Sequence, residues 1–306
     1  MRISLKNLLP VNFMSAGNHQ LVELIRADMV NFAPGFFHQA MRNIVSRKEA
    51  TQIMALDQWR AAEYALSGTA DFKNTTFIFH VGRCGSTLLC QNLKSNGKCL
   101  VLGEPAFLGS GCGGTAFDDR LDEVPAQIIQ AWQRWAVDRG QQLVVKLSSK
   151  DCRNIAKYRK LYPSALLVAL TRDPLPVIES QSRNPSRYLQ KKLAKTRNCD
   201  ESFVTLAAHE YNTAVTHIGH ALNEGLVHID YGKLPEFFAD LLKLLEIEPV
   251  NNSITWNAEF QAKERQAAKL PYQPVSAEML ATFYHANAEL IDKLRETYHE
   301  AIGPVL

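Results

Sequence analysis

The sequence lacks several features that would place it in well-known protein classes. Its six cysteines are scattered and never stand in a C-x-x-C pair, which argues against a structural zinc site and a dense disulfide framework. No stretch approaches the roughly 20 apolar residues of a membrane-spanning helix. The amino terminus turns polar too early for a signal peptide. We therefore expect a cytoplasmic protein with no membrane partner.

The sequence also has no large excess of charge of one sign. The formal net charge is +3 and the basic residues form no long block, so the composition does not indicate a nucleic-acid partner. We find no internal repeat and no low-complexity tract. With 306 residues, of which 46% are hydrophobic, the chain can bury a substantial core.

Strand and helix patterns alternate after residue 70. Candidate strands cover 75–81, 99–103, 142–147, 165–171 and 226–230. Candidate helices cover 86–96, 125–138, 151–161, 174–183, 202–223 and 234–245. This alternation predicts an α/β fold with a parallel sheet and helices on both faces. Amphipathic runs within 17–66, such as 21–26, predict a helical N-terminal extension over 1–70, so the α/β domain would span 71–306.

A glycine turn follows the first candidate strand. The turn and the start of the next helix read Gly82-Arg83-Cys84-Gly85-Ser86-Thr87. Backbone N–H groups in such a turn and at a helix N-terminus bind anions, above all phosphate. The spacing differs from the G-x-x-x-x-G-K-[ST] loop of ATPases and GTPases, because Ser86 stands where a lysine is needed. The turn thus predicts a phosphate-type site outside the standard nucleotidases.

A second junction between strand and helix has an arginine at its centre. The apolar run 165–171 ends at Arg172, and Asp173 and Pro174 suit the cap and first position of a helix that contains Ser180. Together the two junctions resemble the sulfotransferases that use 3′-phosphoadenosine-5′-phosphosulfate (PAPS). The P-loop-like α/β fold of that family is therefore expected for this chain. In that family a similar loop holds the 5′-phosphosulfate, and an Arg and Ser at this spacing hold the 3′-phosphate.

The resemblance implies a role for each matching residue. Cofactor binding would fall to Gly82, Arg83, Cys84, Gly85, Ser86, Thr87, Arg172 and Ser180. The resemblance extends over about 75–247. It includes the segment 228–234, where Gly232 and Lys233 replace two acids of the family. The family usually adds a basic residue from its C-terminal region, and the choice among Lys263, Arg265 and Lys269 stays open. Cys84 replaces a serine and is expected to be an inert small residue, although its neighbours could lower a thiol pKa.

Glu104 is the expected catalytic base. It follows the apolar run 99–102, and a carboxylate in a cleft can take a proton from the acceptor if burial raises its pKa. The cytosolic sulfotransferases use a Lys-x-His motif instead, and the matching Lys146 is followed two residues later by Ser148. Lys146 and Arg83 would stabilise charge that develops as the bond to sulfur breaks. A loop glutamate that caps a neighbouring element is the alternative role of Glu104, and His80 is expected to be a core histidine.

These residues predict a sulfotransferase that moves a sulfuryl group from PAPS, as co-substrate, to a hydroxyl or amine. The acceptor would be a small molecule, a carbohydrate or a peptide, in a pocket lined by the N-terminal helices and the 105–124 loop, and no metal is expected. The glycine-rich stretch 109–115 would either admit or cover a substrate or be a surface loop with no role. Two alternatives stay open: an atypical P-loop kinase or phosphotransferase, and a non-catalytic nucleotide-binding relative. A kinase would need a loop lysine and magnesium carboxylates, whereas a non-catalytic relative would have no reason to keep Glu104. The oligomeric state is not predicted.

Overall fold

The computed structural model describes residues 5–16, 19–30, 37, 41, 51–67, 71–105, 107–108, 123–195, 202–248 and 275–303. Within these ranges the strands are β1 (Leu8–Ala16), β2 (His19–Arg26), β3 (Thr51–Ala55), β4 (Thr75–His80), β5 (Cys99–Gly103), β6 (Gln142–Lys146), β7 (Leu166–Thr171) and β8 (Val227–Asp230). The helices are α1 (Leu56–Ser67), α2 (Ser86–Ser95), α3 (Glu123–Val137), α4 (Ile155–Leu161), α5 (Pro174–Arg183), α6 (Arg187–Leu193), α7 (Phe203–Leu222), α8 (Leu234–Leu244), α9 (Ala277–Ala286) and α10 (Ala288–Ile302).

A five-stranded parallel sheet with the order β5-β6-β4-β7-β8 forms the centre of the fold. Helices flank it, which confirms the predicted α/β fold class. The observed strands match the five candidates to within one residue at each end. All residues of β4 are buried, as expected for a central parallel strand covered on both faces. The chain leaves β4 toward β5 and leaves β7 toward β8, so a crevice is expected at the carboxyl ends of β4 and β7.

An aromatic cluster packs α4 and the residue after it against the central strand β4. The Tyr158 ring lies edge-on to Phe77 and Phe79, with centroid distances of 5.0 and 5.3 Å. Tyr162 packs on Phe77 at 4.6 Å and on Phe72 at 4.9 Å. Each such pair contributes about 0.5 to 1.5 kcal/mol beyond burial of its area. The cluster fixes α4 under β4, and so helps to hold the glycine turn that follows this strand.

The N-terminal extension, which was predicted to be helical, is helical only in part. Instead, β1, β2 and β3 form an antiparallel sheet, and the described part of this extension has its long helix only at α1. The run 21–26 is strand β2, in which Val22, Leu24 and Ile25 are fully buried. A run of only six residues can fit the period of two of a strand as well as the period of 3.6 of a helix. Pairing with β1 and β3 therefore decided the structure of this run.

Helix α3 joins the N-terminal sheet to the parallel sheet. The Trp132 indole donates a hydrogen bond to the Pro10 carbonyl at 3.0 Å. Arg134 forms an ion pair of 3.0 Å with Glu63, whose side chain is buried. The buried residues of both sheets belong to one hydrophobic cluster. The proposed division of the chain at residue 70 stays a prediction.

Several predictions concern residues outside the described ranges. These are the acceptor loop 109–115 and the candidate basic residues Lys263, Arg265 and Lys269. Of the helices in the described ranges, none is both long and apolar enough to span a membrane. The same residues contain no group of three or more His, Cys, Asp or Glu side chains that could hold a metal ion.

Candidate functional site

The parallel strands have their carboxyl ends at one edge of the sheet, and the charged residues predicted for the site lie at four of these ends. Lys146 is the last residue of β6, and Gly103, the last residue of β5, is its register partner. Glu104 follows directly, and its backbone N–H donates to the Lys146 carbonyl at 2.7 Å. The two side chains meet in an ion pair of 2.7 Å between Lys146 Nζ and Glu104 Oε1. The structure therefore brings the two predicted catalytic residues of β5 and β6 together.

The environment of this ion pair is asymmetric. Lys146 is 1% exposed, whereas the Glu104 side chain is 34% exposed. Burial is the largest single influence and lowers the pKa of Lys146, but the Glu104 carboxylate and the nearby Cys90 and Cys84 together raise it, so that the pKa is raised overall and the amine is charged. The pair thus places a proton acceptor at the surface over a buried cation.

Glu104 also has an unusual backbone conformation. Its φ of 51° is in the left-handed region, which residues other than glycine seldom adopt. Arg83 in the glycine turn has a φ of 62°. Such residues cost about 1 to 3 kcal/mol each and occur most often where function requires the geometry. Both strained residues lie at the same edge of the sheet.

The glycine turn is built so that little space remains around it. Gly85 has a φ of 85° and directly precedes α2, and a Cβ there would collide with the Tyr231 ring. A Cβ on Gly82 would come within 2.6 Å of the Gln181 side-chain amide. The first intrahelical bond runs from Leu89 N–H to the Gly85 carbonyl at 3.1 Å. The preceding N–H groups of the first turn therefore have no partner within the helix and suit an anion.

Thr87 connects the glycine turn to the ion pair. Lys146 Nζ lies 3.3 Å from Thr87 Oγ1 and donates a hydrogen bond to it. The turn itself has no lysine, so β6 supplies a cation to the start of α2. Ser86, the other hydroxyl residue at this helix start, is buried.

Arg83 and Arg172 lie together on the other side of the turn. Arg172 Nη1 donates to the Arg83 carbonyl at 3.3 Å, and Arg83 Nη2 donates to the Asn184 carbonyl at 2.6 Å. The Arg172 guanidinium lies 4.2 Å from the centre of the Tyr231 ring, a cation–π contact. Ser180 lies further along α5, the helix that begins just after Arg172. The Arg172 guanidinium thus lies at the glycine turn itself, and the Arg83 guanidinium reaches from the turn to the end of α5. Cations beside the amides at the start of α2 suit an anionic ligand.

Cys84 and His80, the remaining side chains considered for this site, are both buried. Burial raises the pKa of the Cys84 thiol to about 12, so its thiolate does not form at neutral pH, in agreement with an inert small residue. The ring nitrogens of His80 lie 2.9 Å from the carbonyls of Val81 and Leu147. Burial, followed by the nearby Lys146, lowers the pKa of His80. His80 Nε2 is 3.9 Å from Glu104 Oε1, too far for a direct hydrogen bond.

Sequence analysis assigned no role to three residues of this region. Tyr231 follows β8 directly, and the rule that places ligands at strand ends could have selected it. Asp151, in the turn after β6, is 1% exposed and accepts a hydrogen bond from Ser148 N–H at 3.0 Å. Asn184 contributes its backbone carbonyl, for which no signal exists in the sequence.

Comparison with known proteins supports the fold. A scan against protein-family models gave no match, and a search of curated proteins gave none. Among solved structures, a sulfotransferase from Mycobacterium avium is similar with 14% identity over 80% of each chain and a TM-score of 0.52. A sulfotransferase from Mycobacterium tuberculosis has 12% identity over 79% of this chain and 80% of its own, with a TM-score of 0.43. The first of these likenesses shows that the chain has the fold of the sulfotransferases.

Proposed function

We propose that the protein is a sulfotransferase that transfers a sulfuryl group from PAPS to the hydroxyl or amine of a small-molecule, carbohydrate or peptide acceptor. The observation that supports this most strongly is the link from the glycine turn through Thr87 to the Lys146–Glu104 pair. An anion site and a solvent-facing proton acceptor then share one cation. Transfer of a sulfuryl group to an O–H or N–H group uses each of these parts: the anion site holds the donor, the base takes the proton, and the cation stabilises the leaving group.

The residues present fit a donor of this kind. The Tyr231 ring lies so close to Gly85 that a side chain there would collide with it, so this position of the turn can offer only backbone groups to a ligand. Amides at the start of α2 would hold the 5′-phosphosulfate, and Arg172 with Ser180 would hold the 3′-phosphate. Arg83 would exchange its contact with the Asn184 carbonyl for a stronger one with an anion. When bound, PAPS supplies the sulfuryl group and leaves as adenosine 3′,5′-bisphosphate.

The protein's own residues would handle one proton and one developing negative charge. Glu104 takes the proton of the acceptor O–H or N–H as that atom forms its bond to sulfur. The S–O bond to the phosphate breaks at the same time, and negative charge grows on the oxygen that leaves. Lys146 already has its ammonium at the start of α2, so it stabilises this charge without moving far.

Isothermal titration calorimetry with adenosine 3′,5′-bisphosphate and AMP tests the donor assignment. The wild-type protein should bind the bisphosphate more tightly by about 1.5 to 3 kcal/mol, because Arg172 forms a charge-assisted hydrogen bond with the 3′-phosphate. Arg172→Ala should remove most of this difference. Arg139→Ala removes an equal charge from the opposite edge of the sheet, just before β6, and should keep it. Equal affinity of the wild-type protein for both nucleotides would exclude the proposal.

A further inference from the structure

The last helix of the described chain, α10, contacts the two segments that contain Arg172 and Tyr231. We propose that Arg295 and Tyr298 of this helix are positioning residues for recognition of the 3′-phosphate. The inference rests on the proposed function, because it assigns them to the same nucleotide site. Neither residue belongs to the motifs on which the resemblance depends, which end before residue 248.

Arg295 fixes the residue that follows Arg172. Its Nε lies 3.0 Å from Asp173 Oδ2 and its Nη2 lies 3.3 Å from Asp173 Oδ1, so the contact is bidentate. The same carboxylate accepts the Leu175 N–H at 2.9 Å and so caps α5. The ion pair therefore fixes the start of the helix that contains Ser180. A change at Arg295 would alter the geometry between Arg172 and Ser180.

Tyr298 closes a chain of hydrogen bonds beneath the same segment. Its hydroxyl donates to Asp230 Oδ2 at 2.6 Å and lies 2.9 Å from Thr171 Oγ1. Thr171 Oγ1 in turn lies 2.7 Å from His228 Nε2. Burial lowers the pKa of His228, so its ring is neutral. Every link then has one proton when His228 donates to Thr171, Thr171 to Tyr298, and Tyr298 to Asp230.

This chain ends at the turn that presents Tyr231. The second carboxylate oxygen of Asp230 accepts the Gly232 N–H at 2.7 Å, which fixes the turn. The Tyr231 ring then lies against Gly85 and 4.2 Å from the Arg172 guanidinium. Tyr298 thus acts on the ring that supports Arg172, while Arg295 acts on the backbone beside it. The carbonyl of Arg172 is held independently by the hydroxyl of Tyr211 in α7, at 2.7 Å.

The two roles that Arg295 could have differ in what they predict. The Arg295 and Asp173 side chains are 33% and 47% exposed, and ion pairs with this exposure contribute little to stability. A purely structural contact would therefore lower the melting temperature slightly and leave nucleotide selectivity intact. A positioning role changes the ratio of affinities for the bisphosphate and AMP, which a small loss of stability does not change.

The experiment measures both affinities by calorimetry, together with thermal unfolding, for Arg295→Met and Tyr298→Phe. We expect each variant to lose roughly fivefold to tenfold in affinity for the bisphosphate, with AMP changed less than twofold, as for residues coupled through direct contacts. Arg295→Lys should recover part of the loss. Lys293→Met removes the same charge from an exposed position of α10 and should keep the wild-type ratio.

The outcomes separate this inference from the proposed function. A wild-type protein that does not prefer the bisphosphate would exclude the proposed function itself. A wild-type preference that Arg295→Met and Tyr298→Phe retain in full, with only lower melting temperatures, would refute the positioning role. Should Arg295→Met fail to fold, Arg295→Lys and Tyr298→Phe decide by the same ratio.

Discussion

Replacing Glu104 by glutamine should lower both stability and turnover, whereas replacing Lys146 by methionine should lower turnover alone. Lys146 is almost completely buried, and its ammonium contacts Glu104 and Thr87 at 2.7 and 3.3 Å. Glu104→Gln retains the shape of the side chain but removes the negative charge. The ammonium then stays buried with neutral partners only at these two contacts.

The expected magnitude follows from the exposure of the two partners. Removing one member of a fully buried ion pair costs about 3 to 5 kcal/mol, because the other charge is left uncompensated. Glu104 is one-third exposed, so water already screens part of the pair, and a glutamine oxygen still accepts a hydrogen bond. We therefore expect Glu104→Gln to lower the free energy of unfolding by about 2 kcal/mol. Lys146→Met removes the buried charge itself and should change it by less than about 1 kcal/mol.

Urea unfolding followed by circular dichroism measures these values. The double variant should recover most of the stability that Glu104→Gln loses, since no buried charge remains. Turnover of Glu104→Gln should fall by about 10² to 10⁴, the usual effect of removing a positioned base, with bisphosphate affinity nearly unchanged. Glu236→Gln, an exposed glutamate at the start of α8, is the control. A Glu104→Gln protein as stable as wild type, with Lys146→Met unfolded, would refute the reasoning.

Two further predictions concern single residues near the site. Burial raises the pKa of Asp151 from 3.8 to about 7, so its contribution to stability is complete below pH 4 and is lost as pH rises through 7, by on the order of 4 kcal/mol. Asp151→Asn should make the urea midpoint of unfolding less dependent on pH between pH 4 and 7. A midpoint that varies with pH as in the wild-type protein would contradict this assignment. Gly85→Ala should weaken bisphosphate binding at least tenfold by calorimetry, because the Tyr231 ring must move. Gly97→Ala, with a φ of 75° but open space around it, should lose stability without losing affinity.

The parallel sheet could be predicted closely because its strands are short, apolar and bounded by turn residues. The helices that follow β4 and β7 were equally clear, since Asp173 and Pro174 mark a helix start. The N-terminal sheet was missed for a physical reason. The run 21–26 fits both periodicities, and its pairing with β3 depends on contacts across some 30 residues of sequence.

The site was predictable to the extent that strand ends determine it. Glu104 and Lys146 follow from the rule that carboxyl ends of parallel strands meet at one edge. Contacts that depend on distant segments gave no such signal. Arg295 reaches Asp173 from more than 100 residues away, and the partner of Arg83 is a backbone carbonyl. Neither contact has a motif, because any residue supplies a carbonyl and an arginine on a helix face is common.

The left-handed conformation of Glu104 and Arg83 has a consequence for how this protein responds to selection. Glycine relieves such strain, so a screen for thermal tolerance alone would favour Arg83→Gly by up to about 1 kcal/mol. Glu104→Gly would relieve the same strain but would leave the buried Lys146 ammonium without its carboxylate. Arg83→Gly would also delete the proposed anion contact. Among the described residues only one other non-glycine residue, Glu246, shares this conformation. At Glu104 the ion pair with Lys146 offsets the backbone strain, whereas at Arg83 the charged side chain lowers stability in return for the proposed anion contact.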